Sequence, residues 1–347
     1  MKALLLAGGF GTRMRPLTER LPKPMAPVGN RPWLEHLIAG LKQQGIDEIV
    51  MAVKHYPERI IEYFGDGGKW GVTIRYTHEP VPLGTAGAIK NAEPLLGGRF
   101  VAINADIVHR ADIRALVKAH EEAGALVTIG LVEVADPSQF GVVEQAEDGR
   151  IVRFVEKPPR GEAPSNRINA GIYIMEPEAL RSIPAGREVS IERETFPSLI
   201  AAGRRVQGAD VSGYWMDMGT SERYRRIHWD LLDGKLELDL AGEERGGGIR
   251  IGEGTEVAKG AMLVPPVLVG SRVKIGERAV VGPYAVIGDD CVIGRGARVT
   301  HSILWDRCVA AEAAQLNRCI VGSGLKIDPR HLLHEAVVSV IPEAETI

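Results

Sequence analysis

Along the first 230 residues, short apolar runs alternate with stretches in which apolar residues recur every three or four positions. Ala3 to Ala7 reads as a buried parallel strand. From Pro32, a residue suited to a helix start, Leu34, Leu37, Ile38 and Leu41 recur at helical spacing until Gly45. Ile49 to Val53 then predicts a strand, Pro57 to Phe64 a helix, Val72 to Tyr76 a strand and Ala86 to Leu96 a helix. Phe100 to Ile103 is a further buried strand, ending on Asn104-Ala105-Asp106. Repeated βα units imply a parallel sheet with helices on both faces, in which ligands bind beyond the carboxyl ends of the strands. Between Gly124 and Tyr173 four strand patterns (Leu126 to Val132, Gly141 to Glu144, Ile151 to Glu156, Ile172 to Ile174) follow without comparable helices. They predict a second, partly antiparallel layer closing over the substrate.

The pattern changes after the glycine-rich, charged stretch Gly242 to Gly248. Ile251, Val257, Leu263, Val269, Ile275, Val281, Ile287, Ile293 and Val299 stand six apart, with glycine directly after most of them. Four positions further on comes a second, often small, inward residue: Val273, Ala279, Ala285, Cys291, Ala297. That period is the signature of a hexapeptide β-helix of the left-handed kind, in which each edge of a triangular coil stacks on the one below. It assigns Cys291 to the packed interior; Cys308 and Cys319 fall where the register blurs. The expected organisation is therefore a first domain over 1–235, a linker over 236–248 and a β-helix domain over 249–347.

Composition narrows the classes. At 347 residues, two cores are affordable, and 45% apolar with 25% charged residues is ordinary for a water-soluble chain. A formal net charge of −3 argues against nucleic acid and anionic membrane as partners, so basic residues must act locally. No apolar run approaches the roughly 20 residues of a membrane span, and the first run meets Gly8-Gly9 at once, which reads as a strand of a cytoplasmic protein rather than a signal segment. Three cysteines and nine histidines show no metal-ligand spacing.

The chemistry concentrates at strand ends. The first strand empties into Gly8-Gly9-Phe10-Gly11-Thr12-Arg13, whose glycines let backbone N–H groups approach a polyanion. The loop fits neither the dinucleotide G-x-G-x-x-G nor the P-loop spacing. Its cations are Arg13 and Lys23, the latter pinned between Pro22 and Pro24 and so suited to a fixed phosphate. Asp106 ends a strand at the open edge of the sheet, and Asp217 sits in Gly213-Tyr214-Trp215-Met216-Asp217-Met218-Gly219-Thr220; both offer the hard oxygen that Mg²⁺ prefers. Lys157, in Phe154-Val155-Glu156-Lys157-Pro158, repeats the proline-pinned lysine with a carboxylate beside it.

G-G-x-G-T-R followed by P-K-P resembles the sugar nucleotidyltransferases, which join a nucleoside triphosphate to a sugar 1-phosphate and release pyrophosphate. The resemblance implies a Rossmann-like α/β nucleotidyltransferase domain with a mixed, mostly parallel sheet. It also implies Arg13, Lys23 and Asp106 as catalytic residues and a nucleotide site of Leu6, Ala7, Gly8, Gly9, Gly11, Thr12, Arg13, Lys23, Pro82, Gly84, Thr85, Ala86 and Asp106. In that family N-x-D and W-x-D-x-G hold the metal, here Asp106 and Asp217 with Mg²⁺ as cofactor. F-x-E-K-P implies Lys157 on the sugar phosphate and Glu156 on sugar hydroxyls; N-A-G adds Asn169, and Gly141 lets the sugar approach the backbone. The loop Glu79 to Gly87, in its P-L-G-T-A-G form, looks like that of the mannose-1-phosphate guanylyltransferases, with GTP and mannose 1-phosphate as expected partners. Met14 and Ala105 depart from the residues usual there. The same resemblance keeps open other bases and sugars, and a non-catalytic nucleotide-sugar sensor, which would not need Arg13 and Lys23. An acyltransferase is the third class, with His301 its one candidate base. The repeat domain is expected to serve homo-oligomer assembly.

Overall fold

The computed structural model describes residues 1–9, 11–79 and 81–339; Phe10 of the glycine loop, Pro80 of the Glu79 to Gly87 loop and residues 340–347 of the repeat domain lie outside the described residues. The chain forms two compact units. One is Met1–Phe10 with Leu37–Met216, the other Gly11–His36 with Asp217–Ile347. The divisions drawn from the sequence are contiguous and these are not, because residues 11–36 cluster with the repeats.

The first unit is a sheet clothed by helices. Its strands are β1 (Lys2–Leu6), β2 (Glu48–Val53), β3 (Thr73–His78), β4 (Phe100–Asn104), β5 (Val127–Glu133), β6 (Gly141–Gln145), β7 (Ile151–Glu156), β8 (Arg167–Met175) and β9 (Val206–Asp210). The order is β7-β6-β8-β4-β1-β2-β3, with β5 paired to β8 and β9 to β5. β1 lies parallel to both β2 and β4, and β2 parallel to β3, as βα crossovers require. β8 runs antiparallel to β4, β5 and β6, so the sheet is mixed, and parallel across β4-β1-β2-β3. The consequence for chemistry is that Ala7, Lys54, Glu79 and Asp106, each just past a parallel strand, emerge on one edge of the sheet.

Helices α1 (Trp33–Gln43), α2 (Pro57–Phe64) and α3 (Gly84–Leu96) follow the predicted periodicity. α4 (Ile113–Ala123), which the sequence pattern did not predict, starts on an Asp112 cap that accepts from Ala115 N–H, and α5 (Phe196–Ala201) is a short helix. β8 is longer than the predicted Ile172 to Ile174. Asn169-Ala170-Gly171 is an irregularity inside the strand, where the register against β5 slips between Asn169 and Tyr173 and Gly171 takes φ +73°.

The second unit is a three-sided coil of short parallel strands. Val267 pairs with Ala285, Lys274 with Val292 and Val280 with Arg298, each eighteen residues on, so that one coil is three hexapeptides. The offset then shortens to seventeen: Val286 pairs with Ile303, Val292 with Val309 and Arg298 with Gln315. Residues 282–285 turn the corner between Val281 and Val286, but only 300–302 turn it between Val299 and Ile303. This missing residue is what blurs the sequence register. It places Cys308 directly over Cys291, whose sulfur accepts from the Cys308 N–H at 3.3 Å, and all three cysteines are buried as free thiols in the coil interior. A Cβ on Gly252 would lie 2.4 Å from the Gly270 carbonyl carbon, which explains the glycines after the aliphatic positions. The presumed linker is partly structured, since Glu243–Glu244 pairs antiparallel with Ile249–Ile251.

One face of the coil is unusual. On it the outward residues Leu268, Val286, Ile303 and Ile320 are all apolar, stand outside the interior cluster, and are no more than 2% exposed. The corresponding outward rows of the other two faces carry Glu256, Lys274 and Lys326, or Arg298 and Gln315. Within the same unit, residues 11–36 and the helix α6 (Ser221–Leu232) reach the apolar face: Asn30 Nδ2 donates to Ile287 O at 2.8 Å and Trp305 Nε1 to Tyr224 Oη at 2.9 Å. Ile303→Lys should therefore destabilise the protein by at least about 3 kcal/mol in urea unfolding, because it buries an unpaired charge. Val292→Lys, on an open face at 37% exposure, should stay within about 0.5 kcal/mol of wild type.

Candidate active site

In the second unit, the chain after the glycine loop folds as two single-turn helices, Thr12–Met14 and Lys23–Met25. Gly11 takes φ +60°, and a Cβ there would press on Lys23 and Thr18 at 3.2–3.3 Å; the Thr18 hydroxyl donates to Gly11 O at 2.8 Å. Pro22 and Pro24 set the second turn, so Lys23 enters it buried, at 5% exposure. Its ammonium lies 3.4 Å from Asp217 Oδ1. The other oxygen, Oδ2, accepts from Arg223 Nη1 at 2.6 Å and stands 4.0 Å from Arg13 Nη2.

The structure thus brings together three of the expected residues, Arg13, Lys23 and Asp217, and adds Arg223. Arg223 carries no periodic signal in the sequence, and the one hint to it is the helix cap at Thr220. Thr220 caps α6 by accepting from Arg223 N–H, which throws the guanidinium back toward the aspartate six residues earlier. Gly219 is required beside it, since a Cβ would lie 2.5 Å from Asp217 Oδ2. Arg13 is the most exposed of the three cations, with 60% of its side chain open to water.

The first unit carries the rest. A Cβ on Gly8 would sit 3.1 Å from Glu79 Oε1 and 3.3 Å from Lys54 Cβ, so the loop after β1 lies against those two residues, which pair with each other at 3.6 Å. Glu79 also accepts from Leu83 N–H and so holds the approach to α3. Around Gly9 a Cβ would find open space. Leu6 and Ala7 are fixed by the sheet, with Leu6 O accepting from Ala105 N–H and Ala7 N–H donating to Ala52 O. Asp106 follows β4 at this same edge and is half-buried.

The P-L-G-T-A-G loop is shaped by its neighbours. Gly84 takes φ +68°, and a Cβ would lie 2.6 Å from Val189 O, an oxygen that accepts from Ala86 N–H. The Thr85 hydroxyl accepts from Ile191 N–H and donates to Glu192 Oε2, and Ser190 donates to the same oxygen. Pro82 leads into this turn. Ser190 caps the following turn by accepting from Arg193 N–H, and that turn is a π-helix, Ile191–Thr195.

Glu156 ends β7, paired with Lys157 at 3.5 Å. Burial and the neighbouring Glu192 push its carboxyl above the ordinary 4.5. Lys157 takes φ +49° just before Pro158, and its N–H donates to Phe140 O. A Cβ on Gly141 would sit 2.5 Å from the Phe154 ring and 2.9 Å from Glu156 Oε2, so glycine there keeps the carboxylate in place. Asn169 Oδ1 accepts from Gly171 N–H and its Nδ2 donates to the Tyr173 hydroxyl, which leaves one further hydrogen bond free on each end of the amide. Trp215 is anchored on the same strand, donating from Nε1 to Ala170 O, and stacks edge-on against Phe140. Glu192, beside Glu156, was not among the expected site residues. Two carboxylates, a tyrosine and an amide gather here, a set suited to hydroxyl donors.

Among the described residues, no group of three or more His, Cys, Asp or Glu side chains is gathered for a metal. None of their helices is long and apolar enough to cross a membrane.

Residues 2–234 match the family model described as Nucleotidyl transferase, and residues 249–344 match that of the GMPPB C-terminal domain. A mannose-1-phosphate guanylyltransferase of Mycobacterium tuberculosis is 42% identical over 234 residues, 67% of this chain and 65% of its own length. A UTP–glucose-1-phosphate uridylyltransferase of Synechocystis is 37% identical over 254 residues, 69% of this chain and 64% of its own. The chain thus spans just under two thirds of the length of these relatives. Among solved structures, HddC of Yersinia pseudotuberculosis complexed with GMP-PN superposes with a TM-score of 0.57 at 27% identity, over 65% of this chain and 97% of that one.

The raised carboxyl of Glu156 gives a pH-dependent test. A carboxyl whose folded-state pKa exceeds its unfolded value contributes stability that is present below the unfolded pKa and lost as pH rises through the folded one. Glu156→Gln should therefore melt above wild type at pH 7, with the gap closing as pH falls toward 4. Equal gaps at both pH values would show that burial there carries no charge penalty.

Proposed function

Because the chain belongs to the nucleotidyl transferase family, we propose that it transfers a guanylyl group from GTP to mannose 1-phosphate, forming GDP-mannose and releasing pyrophosphate. The observation that carries this reading is the cluster of Lys23, Arg13 and Arg223 around Asp217, directly after the glycine loop. In-line attack of a sugar-phosphate oxygen on the α-phosphorus needs no protein nucleophile; it needs neutralisation of charge on the triphosphate and a fixed attack direction. In the proposed roles, Lys23 and Arg13 exchange a share of their contact with Asp217 for the departing pyrophosphate, and the backbone of Leu6, Ala7, Gly8, Gly9, Gly11 and Thr12 serves the phosphates. Pro82, Gly84, Thr85 and Ala86 border the base. Lys157 takes the sugar 1-phosphate, while Glu156, with Glu192 beside it, accepts from sugar hydroxyls and Asn169 adds its amide. The rigid setting of Gly84 and Thr85 supports a base site of fixed shape, and the guanylyltransferase relative favours guanine over uracil.

A divalent metal is general in this family. Asp106 and Asp217 are the proposed metal carboxylates, and because Mg²⁺ is commonly held by one or two carboxylates plus substrate phosphates, either side chain has the chemistry to hold it. When bound, Mg²⁺ would neutralise charge on the phosphates; Arg223 and Lys23 would have to yield an oxygen of Asp217. Self-association through the coil is part of the same proposal.

The test is pyrophosphate release from a panel of GTP, UTP, dTTP and ATP with mannose and glucose 1-phosphates. GTP should lead by at least about tenfold in kcat/KM, since a site that pairs with one base edge leaves its own groups unpaired against another. EDTA should abolish release, and Mg²⁺ should restore it. A lead for UTP with glucose 1-phosphate would overturn the guanylyl assignment, and silence with every pair would overturn the reaction class. Lys23→Met should lower kcat/KM for the triphosphate by about 10²-fold or more, whereas Lys157→Met should act mainly on the KM of the sugar phosphate.

A further inference from the structure

The Lys23–Asp217–Arg223 cluster belongs to the same compact unit as the β-helix. One turn of α6 joins them. Arg223 and Tyr224 are adjacent residues and so point about 100° apart on the helix. The first binds Asp217. The second is fully buried, its hydroxyl donating to Pro27 O and accepting from Trp305 Nε1 of the coil. Pro27 is four residues past Lys23 and opens a hairpin, Pro27–Val28 against Arg31–Pro32, that turns at Gly29 and Asn30 with φ +61° and +68°. The tip of this hairpin is clamped at both residues. Gly29 packs so closely on Leu231 and Leu240 that a Cβ would lie 2.5 Å from the latter, and the Asn30 amide donates to Ile287 O in the coil.

We propose that the β-helix is a positioning element for triphosphate binding, with Tyr224, Trp305 and Asn30 fixing the segment that carries Lys23 and Arg13. The inference rests on the reading of these two cations as the pyrophosphate clamp. It goes beyond an assembly role for the coil, because it makes a wall of the repeat domain part of the nucleotide site's frame within a single chain. A buried tyrosine hydroxyl shared between the lysine-bearing segment and the coil has only one well-satisfied position. The ring cannot shift without giving up its bond to Pro27 O or to the Trp305 indole.

Three full-length variants test it. Tyr224→Phe removes the bridging hydroxyl and keeps the ring. Asn30→Gly removes the amide and tolerates the positive φ. Trp305→Phe removes the indole donor. Each should raise the triphosphate KM about tenfold, the scale of sub-ångström misplacement, with the sugar 1-phosphate KM unchanged within about twofold. Backbone hydrogen exchange across residues 21–32 should quicken, with that of β4 and β8 unchanged. A general loss of structure would move both KM values together, and that result overturns the proposal, as does faster exchange with an unmoved triphosphate KM. If wild type releases no pyrophosphate with any pair, the functional reading fails separately, and exchange alone then decides: quickening confined to 21–32 supports the coupling, no quickening overturns it.

Discussion

Asp217 holds together three cations that would otherwise drive one another apart. Two cations sharing one carboxylate lie within roughly 6 Å, where their repulsion at an effective dielectric near 20 is about 3 kcal/mol. Lys23 is buried and has little water to screen it, and its neighbour at 3.4 Å supplies part of the compensation. Removing the carboxylate from such a pair typically costs 3–5 kcal/mol, because it strands a buried charge. The arrangement is a cation cluster held by a carboxylate. In the proposed function that carboxylate would have two roles in sequence: it would hold the lysine and arginines in readiness, and it would offer a hard oxygen once they lean toward phosphate.

Much of this was legible in the chain, for physical reasons that differ by region. The βα alternation was readable because strands buried on both faces are continuous apolar runs and the helices between them keep one apolar face. The coil was readable because stacking repeats the same inward contact every six residues. Arg223 was not, since a surface-type arginine in a polar helix turn carries no periodic signal; only the capping threonine at 220 fixes its direction. Cys308 was obscured by a corner one residue shorter, which a strict six-residue count cannot follow. Leu268, Val286, Ile303 and Ile320 were also missed, yet their signal exists: the residue before each inward aliphatic is apolar on every third edge and mostly polar or mixed on the other two. Reading the repeat at a period of eighteen, rather than six, separates the three faces.

Several motif residues turn out to be determined twice. Gly84 is needed by the Val189 carbonyl, Thr85 by Glu192 and Ile191, and Gly141 by Phe154 and Glu156. Their presence therefore follows from packing as well as from any ligand, and a glycine or threonine in such a motif is weak testimony about the base or sugar it faces. The stronger testimony comes from groups kept at a cost. Burial raises the Glu156 carboxyl, and the neighbouring Glu192 adds to that penalty. A fold that only needed packing there could use a glutamine.

The same reasoning applies to the coil. A β-helix that served only to present flat surfaces for self-association would leave its three outward rows alike and polar, because an apolar row exposed on a monomer invites indiscriminate pairing. Here one row is apolar and already covered from residue 268 to 320, and beside it the Tyr224 hydroxyl accepts from the Trp305 indole and the Asn30 amide donates to Ile287 O. The two rows of mixed polar and apolar residues and the ends are what is left for contact with other chains. Burying an aliphatic side chain contributes roughly 1.5–3 kcal/mol, so four such residues provide ample free energy to hold a lysine-bearing segment that has little regular structure of its own. The repeat domain's first commitment is therefore to its own chain, and any assembly must be built on the faces that this commitment leaves open.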